Sequence, residues 1–148
     1  MNIKACLTSN NQIWETPKNI YSYYMNNNYF DPCPINPNFD GLNIEWHKKN
    51  FVNPPYKYIK KWIYKSLQEA FKNKEVVLLI PSRTDTKWFK LLIESGIAVI
   101  YFLEGRLKFS NKNSAPFPSM IVILNKMNIS VISYMSKQKQ LNIFGKVY

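Results

Sequence analysis

The tetrapeptide Asn53-Pro54-Pro55-Tyr56 joins an amide, two prolines and an aromatic ring, and it directly follows a short, largely apolar run at residues 50–52. The pattern predicts a strand that ends in a rigid turn, because each proline fixes its own φ and biases the preceding residue away from helical backbone. An Asn side-chain oxygen and a Pro carbonyl oxygen can together accept both hydrogens of an exocyclic amino group, while a Tyr ring can stack on the base that carries the amine. The four residues are therefore candidate catalytic residues for methylation of an amine, and an ordinary surface turn is the alternative interpretation.

The charge balance favours a polyanionic partner. The chain has a formal net charge of +11, from 20 Lys and Arg against 9 Asp and Glu, and an aromatic content of 16%. Such an excess creates a positive field that attracts nucleic acid, and basic grooves with interleaved aromatic rings bind single-stranded or flipped bases. We therefore expect a nucleic-acid partner, although a composition rich in Lys and Asn is also typical of an AT-rich genome.

The length of 148 residues favours a single domain that spans the whole chain, residues 1–148. Two cysteines, Cys6 and Cys33, are too few for a disulfide framework, and one histidine, His47, gives no zinc-ligand spacing. The sequence has no apolar run long enough for a membrane helix, and its first six residues lack the apolar core of a signal peptide. We therefore expect a soluble protein in the cytoplasm of its host cell, without a metal.

The hydrophobic pattern predicts strands that alternate with helices. Thr16 is expected to cap a helix that begins at Pro17 and runs to about residue 25. Apolar residues at helical spacing predict two more helices, over residues 58–72 and 86–95. Apolar and β-branched runs predict strands at residues 29–31, 75–80, 97–103 and 120–124. The last two are expected to form a terminal hairpin that closes the sheet edge, residues 129–134 add an edge strand or a tail element, and the fold class is α/β with a mostly parallel sheet.

Two aspartates follow or flank predicted turns. Asp31 ends the predicted strand at residues 29–31, and a carboxylate at the carboxyl end of a strand lies in a crevice where it can accept hydrogen bonds from a ligand. Asp40 begins an Asp-Gly-Leu turn and offers a second carboxylate. For both aspartates the alternative is a role confined to the turn itself.

Basic residues flank both predicted functional loops. One group surrounds the start of the helix that follows the tetrapeptide, where it could contact phosphates, whereas lysines on a helix are more commonly a solvated face. A second group lies near the start of the helix at residues 86–95, where the helix dipole favours anions. These candidate nucleic-acid contacts are Lys57, Lys60, Lys61, Arg83, Lys87 and Trp88.

The order of these motifs resembles that of the phage-type DNA N-6-adenine-methyltransferase (Dam-like) family, over roughly residues 14–124. The motifs that carry the resemblance are Trp14 with Thr16-Pro17, Phe30-Asp31-Pro32-Cys33, Asp40-Gly41-Leu42 and Asn53-Pro54-Pro55-Tyr56. Later blocks of the same family are matched at Pro81 and at residues 83–88, 105–109 and 116–119. Each motif alone is weak evidence, whereas the ordered set is specific.

The resemblance implies a Rossmann-like fold that binds S-adenosyl-L-methionine and a phage or mobile-element enzyme that methylates the exocyclic N6 amino group of adenine in DNA. Asp31 is the implied partner of the methionine ammonium group, and Asp40 would lie near the ribose or adenine of the cofactor. Backbone N–H groups at the helix start near Thr16 are implied donors to the methionine carboxylate. The implied cofactor-binding residues are Trp14, Thr16, Pro17, Asp31, Pro32, Cys33 and Asp40, and Arg106 is an implied DNA contact.

Two other functions remain open at this point. Many methyltransferases bind their cofactor with a glycine-rich loop, but residues 30–34 contain no glycine, which leaves a non-catalytic nucleic-acid-binding relative as one alternative. The same catalytic turn also serves amino-methyltransferases that act on RNA or protein. The net charge favours nucleic acid over protein and does not separate DNA from RNA.

Overall fold

The computed structural model describes residues 14–109 and 114–146. The predictions for Cys6 and for the first six residues lie outside this part of the chain. Its elements are, in order, α1 (Lys18–Asn26), β1 (Lys49–Val52), α2 (Ile59–Phe71), β2 (Glu75–Pro81), α3 (Lys87–Glu94), β3 (Ala98–Leu103), β4 (Ser119–Leu124), β5 (Val131–Met135) and α4 (Lys137–Phe144). A 3₁₀ turn over Tyr56–Tyr58 leads into α2.

The five strands form one sheet in the order β1-β2-β4-β3-β5. The pairs β1–β2 and β3–β5 are parallel, while β4 is antiparallel to both β2 and β3. Every strand except β4 therefore points the same way, which confirms the predicted α/β fold with a mostly parallel sheet. The parallel strands also bring their carboxyl ends to one edge, which we call the carboxyl edge.

The predicted hairpin is only partly correct. β3 and β4 are antiparallel neighbours as expected, but β4 lies inside the sheet between β2 and β3, and β5 forms the edge. The reason is burial: β4 is apolar on both faces and buried along almost its whole length, whereas β5 exposes Val131, Ile132 and Tyr134. A strand that is apolar on both faces is most stable in the centre of a sheet.

The strand predicted at residues 29–31 is reduced to a single parallel bridge between Phe30 and Asn50. The Phe30 N–H donates to the Lys49 carbonyl at 2.9 Å, and the Phe51 N–H donates to the Phe30 carbonyl at 2.8 Å. Proline lacks an N–H, so Pro32 and Pro34 cannot continue this ladder. The chain therefore leaves the sheet directly after Phe30, beside the end of β1.

Two helical layers cover the two faces of the sheet, because successive residues of a strand point to opposite sides. On one face β2 packs with α2 and α3 through Val76, Leu78, Ile80, Trp62 and Leu92. On the other face β2 packs with α1 and α4 through Val77, Leu79, Ile20 and Phe144. The helices predicted at residues 58–72 and 86–95 are confirmed, and Gly96, at φ 74°, follows the end of the second of them.

Candidate active site

The tetrapeptide lies at the carboxyl edge, where Asn53 directly follows β1. Pro54 and Pro55 are buried, and Pro55 is extended, with φ −63° and ψ 123°. The Pro55 carbonyl then accepts a hydrogen bond from the Tyr58 N–H at 3.0 Å, which closes the 3₁₀ turn before α2. The rigid turn predicted from the two prolines is therefore present, and it is anchored to an element on each side.

The side-chain amide of Asn53 is held in one orientation. Its Nδ2 donates to the Trp14 carbonyl oxygen at 2.5 Å and to Thr16 Oγ1 at 3.0 Å. Its Oδ1 is buried and accepts no hydrogen bond within the described residues. A buried acceptor without a donor costs about 1–3 kcal/mol, so this oxygen is a candidate for an interaction with a ligand.

The role predicted for Thr16 as a helix cap is wrong. The N-cap of α1 is Pro17, and no side chain caps that helix end. The Thr16 hydroxyl accepts from Asn53 instead, so it makes a contact with a distant segment and not with the helix. The N-cap of α3 is Thr86, whose hydroxyl accepts from the Phe89 N–H at 3.2 Å.

A cleft of about 300 Å³ opens beside the turn. It brings together four of the predicted cofactor residues and three of the predicted catalytic residues, and it adds others that sequence analysis had missed. Its walls are formed by Trp14, Glu15, Thr16, Lys18, Tyr21, Asp31, Cys33, Pro34, Ile35, Asn36, Asn53, Pro54 and Pro55. Pro17, Pro32 and Asp40 do not line it. The missed residues are neighbours of the predicted ones along the chain, which is the only signal that could have identified them.

Asp31 is partly buried in the wall of this cleft, and it forms no ion pair within residues 14–109 and 114–146. Burial raises the pKa of its carboxyl group to about 6, and a hydrogen bond from the Cys33 N–H to Oδ1, at 2.8 Å, opposes that shift. A carboxylate that is desolvated and lacks a cation is suited to a positively charged ligand group.

Asp40 has a different environment. Its Oδ1 accepts from the Leu42 N–H at 3.0 Å, and its Oδ2 accepts from Asn43 Nδ2 at 2.7 Å, so both oxygens close the local turn. A Cβ atom on Gly41 would lie 1.8 Å from the Pro32 carbonyl oxygen, which is why only glycine fits there. Asp40 and Pro32 thus shape the loop outside the cleft, and their contact with the cofactor stays a prediction.

Tyr56 belongs to an aromatic cluster that packs over the turn. Its ring meets Phe117 at 78°, with centroids 5.4 Å apart, and Phe117 in turn contacts Trp14 at 5.2 Å and Phe109 at 6.0 Å. The Tyr56 hydroxyl is buried without a partner among the described residues, and burial raises its pKa. Sequence analysis assigned no role to Phe117, although it lies in the block at residues 116–119.

The lysines nearest the turn carry uncompensated charge. Lys57, Lys60 and Lys61 are exposed, and within the described chain none of them forms an ion pair. The ammonium groups of Lys57 and Lys61 lie 5.5 and 5.8 Å from the ring centre of Tyr58. This end of α2 therefore presents positive charge and an aromatic ring beside the candidate catalytic turn.

The other predicted nucleic-acid contacts differ from one another in exposure and in ion pairing. Lys87 and Arg106 are exposed, whereas the guanidinium of Arg83 lies 3.5 Å from the Asp85 carboxylate, so its charge is partly compensated. Trp88 is half-buried and packs on the core side of α3. Packing accounts for the position of Trp88, and its contact with nucleic acid stays a prediction.

The sequence profile of the DNA N-6-adenine-methyltransferase (Dam) family matches residues 4–147. The chain belongs to this family. The DNA N-6-adenine-methyltransferase of Haemophilus phage HP1 (strain HP1c1) is 25% identical to it over 122 residues, which cover 72% of this chain and 70% of the phage protein. Among solved structures, the crystal structure of the M1.HpyAVI–SAM complex is similar over 90% of this chain and 75% of that chain, with 10% identity and a TM-score of 0.29.

Membership of the Dam family confirms the resemblance expected from the motifs. The chain is an adenine-specific DNA methyltransferase, which transfers a methyl group from S-adenosyl-L-methionine to the exocyclic N6 amino group of adenine. Within the described residues no helix is long and apolar enough to cross a membrane, and no group of three or more His, Cys, Asp or Glu side chains could hold a metal ion.

Proposed function

We propose that Asn53 and the Pro54 carbonyl are the groups that accept the two hydrogens of the adenine amino group during methyl transfer. The observation that carries this proposal is the orientation of the Asn53 amide, whose two hydrogens are engaged by Trp14 and Thr16 and whose Oδ1 has no partner in the described chain. An acceptor in this state matches a primary amine, which has two hydrogens to donate.

Acceptance of these hydrogens has a chemical purpose. The lone pair of the adenine amino group is delocalised into the ring, and two acceptors favour a more tetrahedral nitrogen and stabilise the positive charge that develops on it. Tyr56 stacks on the base. The target nitrogen is inaccessible within a stacked duplex, so the adenine must be flipped out or already unpaired.

The cleft next to the turn fits the cofactor. S-Adenosyl-L-methionine supplies the electrophilic methyl group when it is bound. The partly buried Asp31 carboxylate would hold the cofactor's ammonium group, and backbone N–H groups at the start of α1 would hold its carboxylate. Trp14, Thr16 and Cys33 form the walls, while Pro17 is the N-cap of α1 and Pro32 supports the loop behind.

DNA lies across the carboxyl edge in this proposal. Lys57, Lys60 and Lys61 contact phosphates next to the flipped base, because their charges are uncompensated and each neutralised phosphate releases counterions. Lys87, Arg106 and Arg83 extend the same contact, and Trp88 is an outer contact. The protein acts as a phage or mobile-element enzyme on DNA in the cytoplasm of the host cell, in keeping with its phage relative.

The test is transfer of a labelled methyl group from S-adenosyl-L-methionine to adenine-containing DNA, with RNA and protein as competing acceptors. Asn53→Ala should reduce the rate on DNA by about a hundredfold or more, which is the usual cost of removing a preorganised donor or acceptor from a catalytic site. Calorimetry should show that this variant still binds the cofactor. Turnover retained in Asn53→Ala would remove Asn53 from the catalytic role, and wild-type protein that neither binds cofactor nor methylates DNA would contradict the proposal as a whole.

A further inference from the structure

The Asn53 amide is restrained by two acceptors of different kinds. One hydrogen of Nδ2 goes to the Trp14 carbonyl oxygen and the other to Thr16 Oγ1. A carbonyl oxygen has no hydrogen to give, so a 180° rotation of the amide would bring Oδ1 against the Trp14 carbonyl and repel it. The Trp14 carbonyl therefore selects one of the two orientations that an Asn side chain can adopt, and the Thr16 hydroxyl accepts the second hydrogen and holds the amide plane in place.

The orientation that is selected is the one that methyl transfer needs. With Nδ2 engaged, Oδ1 remains as an acceptor that has no partner in the described chain. In the opposite orientation Asn53 would present N–H donors to the adenine amino nitrogen, whose lone pair must attack the methyl group. Donation by both Nδ2 hydrogens also polarises the amide and increases the negative charge on Oδ1.

We propose that Thr16 is a positioning residue for methyl transfer, which holds the Asn53 amide in the orientation that accepts a hydrogen from the adenine amino group. This inference rests on the function proposed above and gives the Thr16 side chain a role separate from any contact with the cofactor. The helix does not use the hydroxyl, since Pro17 is the N-cap of α1 and no side chain caps it. The Trp14 contact comes from the backbone, so Thr16 supplies the half of the restraint that substitution can remove.

The test compares Thr16→Val, which keeps the shape and removes the hydroxyl, with Thr16→Ser, which keeps the hydroxyl. Thr16→Val should lower kcat at saturating cofactor and DNA roughly tenfold, the effect of one lost hydrogen bond. Thr16→Ser should stay within about twofold of the wild type, because its hydroxyl can accept the same hydrogen. The dissociation constant for S-adenosyl-L-methionine should change less than kcat does in both variants.

A second measurement needs no turnover. The side-chain amide resonances of Asn53, assigned by their absence in Asn53→Ala, report the contact in the free protein by NMR. They should move in Thr16→Val as one hydrogen loses its acceptor, and they should remain near the wild-type position in Thr16→Ser.

Three outcomes would overturn the inference: wild-type kcat in Thr16→Val, equal losses in both variants, or a change confined to cofactor affinity. A wild-type protein that binds cofactor without methylating DNA would contradict the proposed function instead. The NMR comparison decides the Thr16 contact even in that case, because Asn53 resonances unchanged in Thr16→Val would overturn the positioning role by themselves.

Discussion

The two ends of the sheet both bury polar groups, but they differ in whether nearby residues of the described chain supply the hydrogen-bond partners of those groups. At the amino end, beside the start of β2, the fully buried Glu69 carboxylate accepts from Lys65 at 2.6 Å, from Lys74 at 2.5 Å and from Lys72 at 3.3 Å. The Trp46 N–H adds a fourth contact at 3.4 Å. Burial alone would raise the pKa of Glu69, but the hydrogen bonds from these lysines lower it to about 2.

At the carboxyl edge the same fold leaves such groups incomplete. The buried side-chain atoms that lack a partner within residues 14–109 and 114–146 include Asn53 Oδ1, the Tyr56 hydroxyl, Ser82 Oγ and Ser119 Oγ. The Asp31 carboxyl has no cation beside it in this part of the chain, and burial raises its pKa to about 6. Since an unsatisfied buried polar group costs free energy, it persists where a ligand supplies the missing partner.

The lysines of α2 show the same contrast along one helix. Lys65 in the middle of the helix and Lys72 directly after it are paired with Glu69. Lys57, directly before the helix, and Lys60 and Lys61, in its first turn, form no ion pair within the described residues. The lysines at the amino end are therefore paired with carboxylates of the same chain, whereas those at the carboxyl edge leave positive charge for a partner. The comparison therefore separates a structural end of the sheet from the end that holds the candidate active site.

Glu69→Gln should give the largest change in stability. Removal of the charge leaves three lysines around a buried neutral group, and loss of one partner from a buried ion pair typically costs about 3–5 kcal/mol. Denaturant unfolding should show this loss, while kcat measured where the variant is folded should stay near the wild type. Glu94→Gln is the control, because its pair with Lys90 is exposed and its loss should cost no more than about 0.5 kcal/mol.

The contribution of Glu69 to the stability of the protein also depends on pH in a defined direction. Its folded pKa of about 2 lies below the ordinary value, so its contribution is present above about pH 5 and is lost as the pH falls towards 2. A wild-type protein whose advantage over Glu69→Gln does not shrink in that range would contradict the ion-pair account of the amino end.

Asp31→Asn should increase the stability of the protein, whereas Glu69→Gln should decrease it. The folded pKa of about 6 against an ordinary 3.8 means that ionised Asp31 destabilises the ligand-free protein by about 3 kcal/mol above pH 6. The variant should therefore unfold at higher denaturant concentration than the wild type at pH 7.5. The two proteins should converge as the pH falls from 6 to 4, where the wild-type carboxyl group becomes protonated.

The same variant should bind S-adenosyl-L-methionine at least tenfold more weakly in calorimetry, because the neutral amide does not attract the ammonium group. A gain in stability together with a loss of affinity would identify Asp31 as a group kept for its ligand. Asp31→Asn that is both less stable and equally able to bind cofactor would break the comparison between the two ends.

Two substitutions of Tyr56 distinguish the role of its aromatic ring from that of its hydroxyl group. Tyr56→Phe removes a buried hydroxyl without a partner in the described chain, so stability should be unchanged or rise by up to about 1 kcal/mol. Turnover should fall much less in Tyr56→Phe than in Tyr56→Ala, because stacking needs the ring. Equal loss of turnover in the two variants would point to a role for the hydroxyl.

The lysines at the start of α2 should have the smallest individual effects. Lys61→Gln should reduce the slope of log K against log salt for DNA binding by about 0.9, the contribution of one phosphate contact. Lys90→Gln is the matched control on α3, and it should leave the slope unchanged because Lys90 pairs with Glu94 at 2.8 Å. Equal slopes for the two variants would remove the α2 lysines from the DNA interface.

Local pattern predicted most of the elements and the central motif. The apolar stripe of α2, the continuous run of β2 and the two prolines after Asn53 depend on neighbours in the chain, so their structure follows from propensity and periodicity. The strand predicted at residues 29–31 is longer than the single bridge observed at Phe30. The two downstream prolines lack the N–H donors that a ladder requires.

Contacts between residues far apart in the sequence could not be predicted from local sequence patterns. The placement of β4 between β2 and β3 depends on which strand is best suited to the most buried position, so it follows from a comparison of β4 with β5 and not from either strand alone. The hydroxyl of Thr16 was predicted to serve the adjacent helix, yet it binds Asn53, which lies 37 residues further along the chain.

Residue type and spacing along the chain were therefore enough to predict an α/β fold, a basic surface and a candidate turn for amine methylation. The state of each buried polar group was decided by tertiary packing: Glu69 satisfied by three lysines, Asp31 without a cation in the described chain, and Asn53 oriented by Trp14 and Thr16. The physical reason is that a hydrogen bond or a pKa depends on which atoms lie within a few ångströms, and in this protein those atoms come from segments far apart in sequence.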